Sequence, residues 1–264
     1  MLVSNNHQDI TLVGNERQVS LIKLVEELGT IRVSDMSKRF NVTEETIRRD
    51  FERLEKEGFL TRIHGGAITS KQNETEIPVL KRQEINIDEK QAIAYKASSF
   101  VEDGDIIALD ASTTALQMTK YLIGKDITVI TNSIGVTLEL AKKPGITVIT
   151  IGGYLLEDSM SFVGSSSEKI IEDYHVDKYF FSCIGFDVKR GISEVNEQQG
   201  QIKKKFLSIS GEYFLLADHS KYGNKSLIKI SNLNKINYLI TDHKMAVNDL
   251  RTIRNLGVNT IVAD

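Results

Sequence analysis

With 264 residues, 41% of them apolar, and a formal net charge of −3, the chain can build one large domain or a small and a medium one, and its charge gives no global support to nucleic-acid binding. No apolar run approaches the ~18–20 residues of a membrane span, and Met1 to Thr11 lacks the apolar core of a signal peptide, so a cytoplasmic protein is expected. The single cysteine, Cys183, excludes an internal disulfide, and the five histidines stand at no metal-ligand spacing, so neither a metal nor another cofactor is expected.

In chain order, Asn15 is a candidate cap for a first helix, with Gln18 placed to close a capping box. Leu21, Leu24, Val25 and Leu28 form one apolar stripe, and Gly29 ends the helix. After an extended piece, Thr30 to Val33, Ser34 is expected to cap a second helix with Met36 and Phe40 on its inner face. Asn41 and Val42 make a tight turn, and Thr43 caps a third helix. There Ile47, Phe51 and Leu54 share one side, while Glu45, Arg49, Glu52 and Lys56 lie opposite. Thr46, Arg48 and Arg49 then occupy the N-terminal outer face that a recognition helix presents to base edges, with Arg53 on the flank.

Charge alone supports a solvated helix equally well. Glu45–Arg49 and Glu52–Lys56 are acid-before-base i, i+4 pairs, and residues 1–70 hold 10 Lys+Arg against 11 Asp+Glu. The following segment favours DNA: a strand Phe59–Ile63, a tight turn at His64-Gly65-Gly66 and a return Ala67–Thr69 read as a β-wing, with Arg62 and His64 beside the tip. Two glycines allow the turn and a close approach to a phosphate backbone.

Thr46-Ile-Arg-Arg-Asp50, Leu54-Glu55, Gly58 and Arg62-Ile-His-Gly-Gly-Ala67 resemble the signature of the DeoR family of bacterial sugar-operon regulators, over about Gly14 to Thr69. The resemblance implies a winged helix-turn-helix over 14–69. Ser34, Thr43, Thr46, Arg48, Arg49, Arg53, Arg62, His64, Gly65 and Gly66 are its expected DNA-contacting residues.

Residues 70–87 are polar, contain Pro78 and show no sustained periodicity, as in an interdomain linker. From 88 to 264 strand and helix signals alternate. Strands are expected at Ile106–Leu109, Ile127–Thr131, Ile146–Ile151, Lys178–Ile184, Tyr213–Ala217, Tyr238–Thr241 and Thr260–Val262. Helices are expected at Asp88–Glu102, Thr114–Ile123, Ile134–Lys142, Ser166–Asp173, Asn196–Gly211 and Val247–Leu256. Such alternation predicts a mostly parallel sheet covered by helices, with ligands bound beyond the carboxyl ends of its strands. Small polar residues collect there: Asp110-Ala-Ser-Thr-Thr114, Thr131-Asn132-Ser133 and Gly152-Gly153, with Lys221 after a later strand as a candidate cation. Ordinary N-capping by Ser and Thr explains any single loop; several on one sheet edge favour a shared pocket. The expected effector-binding residues are therefore Asp110, Ser112, Thr113, Thr114, Thr131, Asn132, Ser133, Gly152, Gly153 and Lys221.

This half also resembles the DeoR-type sensor, in Leu109-Asp-Ala-Ser-Thr-Thr114, Val129-Ile-Thr-Asn-Ser133, Ile151-Gly-Gly153, Asp218-His-Ser-Lys-Tyr222 and Thr241-Asp242. That sensor is similar to ribose-5-phosphate isomerase and the CoA transferases, and the resemblance implies a phosphorylated sugar as effector, double-stranded operator DNA as partner and a homo-oligomer. Ser112 stands where the family usually has glycine, and Gln199-Gly200 where it often has Glu-Ala, which implies an effector other than the commonest ones. The alternative is a sugar-phosphate isomerase or transferase with an accessory DNA-binding module, using Asp110 or Glu197 as base and Lys221 as electrostatic partner. No carboxylate–lysine constellation is legible to support it.

Overall fold

The computed structural model describes residues 16–28, 30–56, 59–63, 65–69 and 78–264. Packing divides the chain into two compact units, Met1–Thr75 and Glu76–Asp264. Asn15, Gly29, Gly58, His64 and residues 70–77 lie outside the described residues.

In the first unit α1 (Glu16–Leu28), β1 (Thr30–Arg32), α2 (Val33–Phe40) and α3 (Glu44–Lys56) precede the wing strands β2 (Leu60–Ile63) and β3 (Gly66–Thr69). The apolar faces of all three helices meet in one core that includes Leu21, Leu24, Val25, Met36, Ile47, Phe51 and Leu54. Two buried residues there are polar, Gln18 and Asp50: Asp50, on the inner face of α3, accepts from Gln18 Nε2 at 2.9 Å and from Arg17 Nε at 2.6 Å. Gln18 is thus drawn inward to fasten α1 to α3, a use its expected place in a capping box did not foresee.

The wing is a three-stranded sheet. β3 pairs antiparallel with both β2 and β1, with Ile31 opposite Ala67 and Arg32 opposite Gly66. Gly65 has φ of +78° and makes the turn. Gly66 also has a structural role, since a Cβ there would stand 2.3 Å from the Ile31 carbonyl oxygen. Only glycine lets β1 close against the wing. The wing also starts α2, because the Val33 N–H donates to the Gly65 carbonyl at 3.0 Å. The helix therefore begins one residue before Ser34, with Arg32 in the cap position and no side-chain cap. Ser34 is not the expected cap. Thr43 is: its Oγ1 accepts from the Thr46 N–H at 3.2 Å.

The second unit opens with α4 (Val79–Glu84), so part of the segment expected to be linker is helical. A seven-stranded parallel sheet follows, in spatial order β15-β14-β12-β9-β4-β5-β6. Its strands are β4 (Ile106–Leu109), β5 (Ile127–Thr131), β6 (Ile146–Thr150), β9 (Val176–Phe181), β12 (Ser210–Leu216), β14 (Tyr238–Asp242) and β15 (Asn259–Ala263). All seven expected strands are present. Helices α5 (Ile87–Ser98), α6 (Thr113–Met118), α7 (Ile134–Leu140), α8 (Ser165–Glu172), α9 (Glu197–Ile209) and α10 (Val247–Arg254) complete the layers. Two apolar cores result. One holds Tyr179, Phe181, Phe206 and Leu239, the other Ile93, Leu109, Phe180 and Phe214. A hairpin of β7 (Tyr154–Leu156) and β8 (Ser161–Val163) and a small antiparallel sheet of β10 (Gly185–Asp187), β11 (Gly191–Glu194) and β13 (Ile228–Ser231) were not expected. Among the described residues no helix is long and apolar enough to cross a membrane.

The chain runs outward from β4 through β5 to β6, then restarts on the other side of β4 with β9. The carboxyl ends of β4 and β9 therefore flank a topological switch point, the crevice where open parallel sheets bind ligands.

Asp50→Ala strands the buried Gln18 amide and the half-buried Arg17 guanidinium and is expected to cost about 2–3 kcal/mol in urea unfolding of the full chain. Asp50→Asn, which can still accept from Gln18, should cost less.

Candidate functional site

On α3 the expected outer face is solvent-exposed. Arg48 Nη2 lies 2.8 Å from Glu44 Oε2, and Arg49 Nε 3.4 Å from Glu45 Oε1. Thr46 Oγ1 is 2.9 Å from Thr43 Oγ1, and Arg53 is exposed on the flank. Exposed ion pairs of this kind are worth roughly 0–1 kcal/mol, so either guanidinium can leave its carboxylate for a base edge or a phosphate at little cost. Arg62 is held more firmly: its N–H and Nε donate to Glu55 at 2.8 and 2.7 Å. The backbone N–H first, then the guanidinium, holds the Glu55 carboxyl below its ordinary value. Arg48, Glu55, Arg62, Gly65 and Gly66 border a cleft of about 330 Å³ between α3 and the wing. His64 lies outside the described residues.

At the switch point of the second unit, Asp110 sits at the end of β4, 1% exposed. Its Oδ1 accepts from the Ser112 N–H at 3.0 Å; its Oδ2 accepts from the Ser182 N–H, beyond β9, at 3.1 Å and from Lys203 Nζ at 2.8 Å. Lys203 also donates to the Ser182 carbonyl at 2.6 Å and stands 3.5 Å from Glu194 Oε1. Burial acts to lower the Lys203 pKa, but Asp110 and Glu194 outweigh it and hold the group protonated well into the basic range. A carboxylate–lysine cluster is therefore present where none was legible in the sequence. Its chemistry is static: a lysine so held is neither base nor nucleophile near neutral pH, and Asp110 is already bound by three donors. Asp110 thus braces the site through Ser112, Ser182 and Lys203. Glu197, the other candidate base, is exposed in the first turn of α9.

Around this brace the expected loops converge in part. Ser112 and Ser133 are helix caps, accepting from the Ala115 and Val136 N–H groups at 3.1 and 3.2 Å. Thr131 Oγ1 donates to the Leu109 carbonyl at 2.7 Å and accepts from the Ser133 N–H at 3.0 Å, joining the ends of β4 and β5. Thr113 and Thr114 are buried beside them at the start of α6. Asn132 donates to the Phe162 carbonyl at 2.9 Å, but its buried Oδ1 has no partner among the described residues. Gly152 is open to a Cβ, whereas at Gly153 a Cβ would meet Ser167 Oγ at 2.0 Å. Lys221 ends a short 3-10 turn after β12, half-buried and in no ion pair among the described residues. Gln199 donates to Ser159 Oγ at 2.7 Å and to Ser161, so its departure from the family pattern fastens α9 to the β7–β8 turn.

Sequence reasoning missed Lys203, Glu194, Ser182 and Lys90. Lys90 is buried at the start of α5; burial first, then Lys221, lowers its pKa to about 8. Both lysines left a signal, since Lys203 lies within the inward stripe Gln199, Ile202, Phe206 and Lys90 within Ile93, Ala94, Ala97. Cys183 is buried as expected, and burial first, then Glu194, pushes its thiol up to about 12. Asp218, His219 and Asp242 bring donor atoms within 4.8 Å of one another. Their carboxylates already accept from Asn86, Ser220, His219 and the Lys244 N–H.

Lys203→Met leaves Asp110 and Glu194 buried without their cation. A loss of about 3–5 kcal/mol is expected in urea unfolding, whereas Lys221→Met should shift stability by only about 0.5 kcal/mol.

Comparison with known proteins places both halves. A family model described as the DeoR C terminal sensor domain matches residues 85–243, and one described as the DeoR-like helix-turn-helix domain matches residues 17–73. The chain is 49% identical over 227 residues to the HTH-type transcriptional regulator YulB of Bacillus subtilis (strain 168), covering 86% of this chain and 88% of that one. It is 34% identical over 227 residues to the HTH-type transcriptional repressor GlcR of the same organism, with the same coverage. Among solved structures it is similar to ribose 5 phosphate isomerase A from Neisseria gonorrhoeae, with 18% identity, a TM-score of 0.39 and 55% of each chain covered. Matched over both halves, the chain belongs to the DeoR family: it is a DNA-binding transcriptional regulator with a C-terminal sensor domain, and not an enzyme.

Proposed function

We propose that the protein represses a sugar or polyol catabolic operon, and that a phosphorylated sugar or polyol bound at the strand ends of the second unit releases it. The observation that carries this reading is the gathering of ligand-ready groups at the switch point. Thr113 and Thr114, Asn132 with an Oδ1 unpartnered among the described residues, and Lys221 follow the carboxyl ends of β4, β5 and β12. Hydroxyls and a lysine suit a phosphate; a buried amide oxygen suits a sugar hydroxyl. Ser112, Thr131, Ser133, Gly152 and Gly153 shape the loops. The name of the relative GlcR supports repression as the sign of control. The effector acts by binding one of two arrangements of the regulator more tightly, so its leverage equals that difference in affinity. One winged helix covers a short DNA site, so a homo-oligomer on paired half-sites is part of the reading.

Operator binding depends on Thr46, Arg48 and Arg49 reading the groove, supported by Ser34, Thr43, Arg53, Arg62, His64 and the wing glycines. Replacing Arg48 or Arg49 with Ala is expected to cost about 1–3 kcal/mol on a cognate operator. Unchanged affinity of the double variant in a gel-shift titration removes α3 from that role.

For the effector, a thermal-shift screen of phosphorylated sugars and polyols identifies the ligand, because binding to the folded state alone raises apparent stability. With it in hand, Thr113→Ala and Lys221→Ala should each raise the concentration for half-induction of a reporter about tenfold, the worth of one charge-assisted bond. Induction at wild-type concentrations by both variants would place the pocket elsewhere.

A further inference from the structure

The acids of α3 divide by what they reach. Glu44, Glu45 and Glu52 pair with bases of the same helix, three or four residues on. Asp50 turns inward to α1. Glu55 reaches the wing, and it takes one residue there by two atoms. Its Oε1 accepts from the Arg62 backbone N–H at 2.8 Å and its Oε2 from Arg62 Nε at 2.7 Å. β2 is an outer strand of the wing sheet, so an N–H turned away from β3 needs an acceptor from elsewhere. One carboxylate thus fixes both the strand and the direction of its arginine.

Stability does not account for the arrangement. The Arg62 and Glu55 side chains are 46% and 34% exposed, and an ion pair in that setting contributes little. Charge does not account for it either, because an acid beside a duplex repels phosphate and by itself weakens binding. What the pair supplies is aim. With Nε held, the planar guanidinium has its orientation set, and its Nη groups make no hydrogen bond among the described residues. Arg62 borders the cleft between α3 and the wing, with Arg48 contributed by α3 and Gly65 and Gly66 by the turn.

We propose that Glu55 is a positioning residue for operator binding: it presents the Arg62 guanidinium to a backbone phosphate of the duplex, so that a negative side chain at the DNA face raises affinity instead of lowering it. This rests on the reading that Arg62 touches the operator, and it adds the residue that aims the contact. An arginine that meets its phosphate from solvent gives up its side-chain freedom on binding. One already held by Nε has given it up in folding.

The probe is a duplex selected by the wild-type full chain from a random-sequence pool, titrated by fluorescence anisotropy over a range of salt. Arg62→Gln should bind it about tenfold more weakly, with a salt slope shallower by about one, the mark of one lost phosphate contact. Glu55→Met keeps the size of the side chain and accepts neither bond. It should lose affinity and slope by similar amounts, although it removes a negative charge. In the Arg62→Gln background the sign reverses: adding Glu55→Met leaves affinity unchanged or raises it, because only repulsion remains to be removed. If Glu55→Met fails to fold, Arg62→Lys carries the test, since it keeps the charge without the fork and should bind several-fold more weakly than wild type; wild-type affinity in that variant overturns the proposal. Wild-type or tighter binding by Glu55→Met also overturns it, and if Arg62→Gln is weakened at the same time, the Arg62 contact stands and only its positioning falls. An equal loss from Glu55→Met when residue 62 is already glutamine overturns it too, because Glu55 then acts through the fold alone. Unchanged affinity and slope in Arg62→Gln removes Arg62 from the operator contacts, and the proposal with it.

Discussion

The strand-end site depends on one buried ion pair. Asp110 and Lys203 meet at the switch point, and through them three elements are joined: β4 by Asp110 itself, β9 by the N–H and carbonyl of Ser182, and α9 by Lys203. Burying two such charges brings little net stability, because the water they lose was worth about as much as the attraction they gain. What the pair supplies is geometry. With Asp110 held on both oxygens, the Ser112 N–H has one place to be, and the threonines that follow are presented in a fixed order. α9 extends the arrangement, since Gln199, one turn before Lys203, anchors the β7–β8 turn through Ser159 and Ser161.

The winged helix uses the same device on a smaller scale. Asp50 lies among the apolar residues of α3 and receives Arg17 and Gln18 from α1. An all-apolar contact would let two short helices slide or rotate by part of a turn. A carboxylate with two donors allows one register, and the exposed arginines on the opposite side of α3 inherit it. In both units a buried acid sets the position of groups that are themselves loosely held.

These two acids mark where reading the chain succeeded and where it stopped. The parallel strands were legible because strands buried on both faces are nearly continuous apolar runs, and Ile106–Leu109 and Ile127–Thr131 fall where expected. The β7–β8 hairpin and the β10-β11-β13 sheet are built from strands of three or four residues, too short to show a period. α4 is hidden by its charged composition. At the site, Ser112–Thr114, Asn132 and Lys221 were found because they follow strands. Lys203 is masked in the sequence because helical lysines are usually solvated, although its spacing from Ile202 and Phe206 places it inward. Residue type alone makes Ser34 a cap candidate, yet the start of α2 is decided by a strand: β1 runs directly into the helix, and the turn at Gly65 supplies the acceptor. No local pattern carries that information, because the partner lies about thirty residues away.

Gly66 has a consequence for anyone mapping which residues touch the operator. Its neighbour across the sheet is the Ile31 carbonyl, and the next residues along that strand begin α2. A side chain at 66 would pry β1 from β3 and loosen the entry to the helix-turn-helix, so operator affinity would fall through the fold, whatever residue 66 itself touches. A loss-of-binding screen would not separate that structural loss from the loss of a contact at the same position. Gly65, one step earlier with open space around its Cα, is the position where conformation and contact can be told apart: a D-alanine there keeps the positive φ while adding bulk.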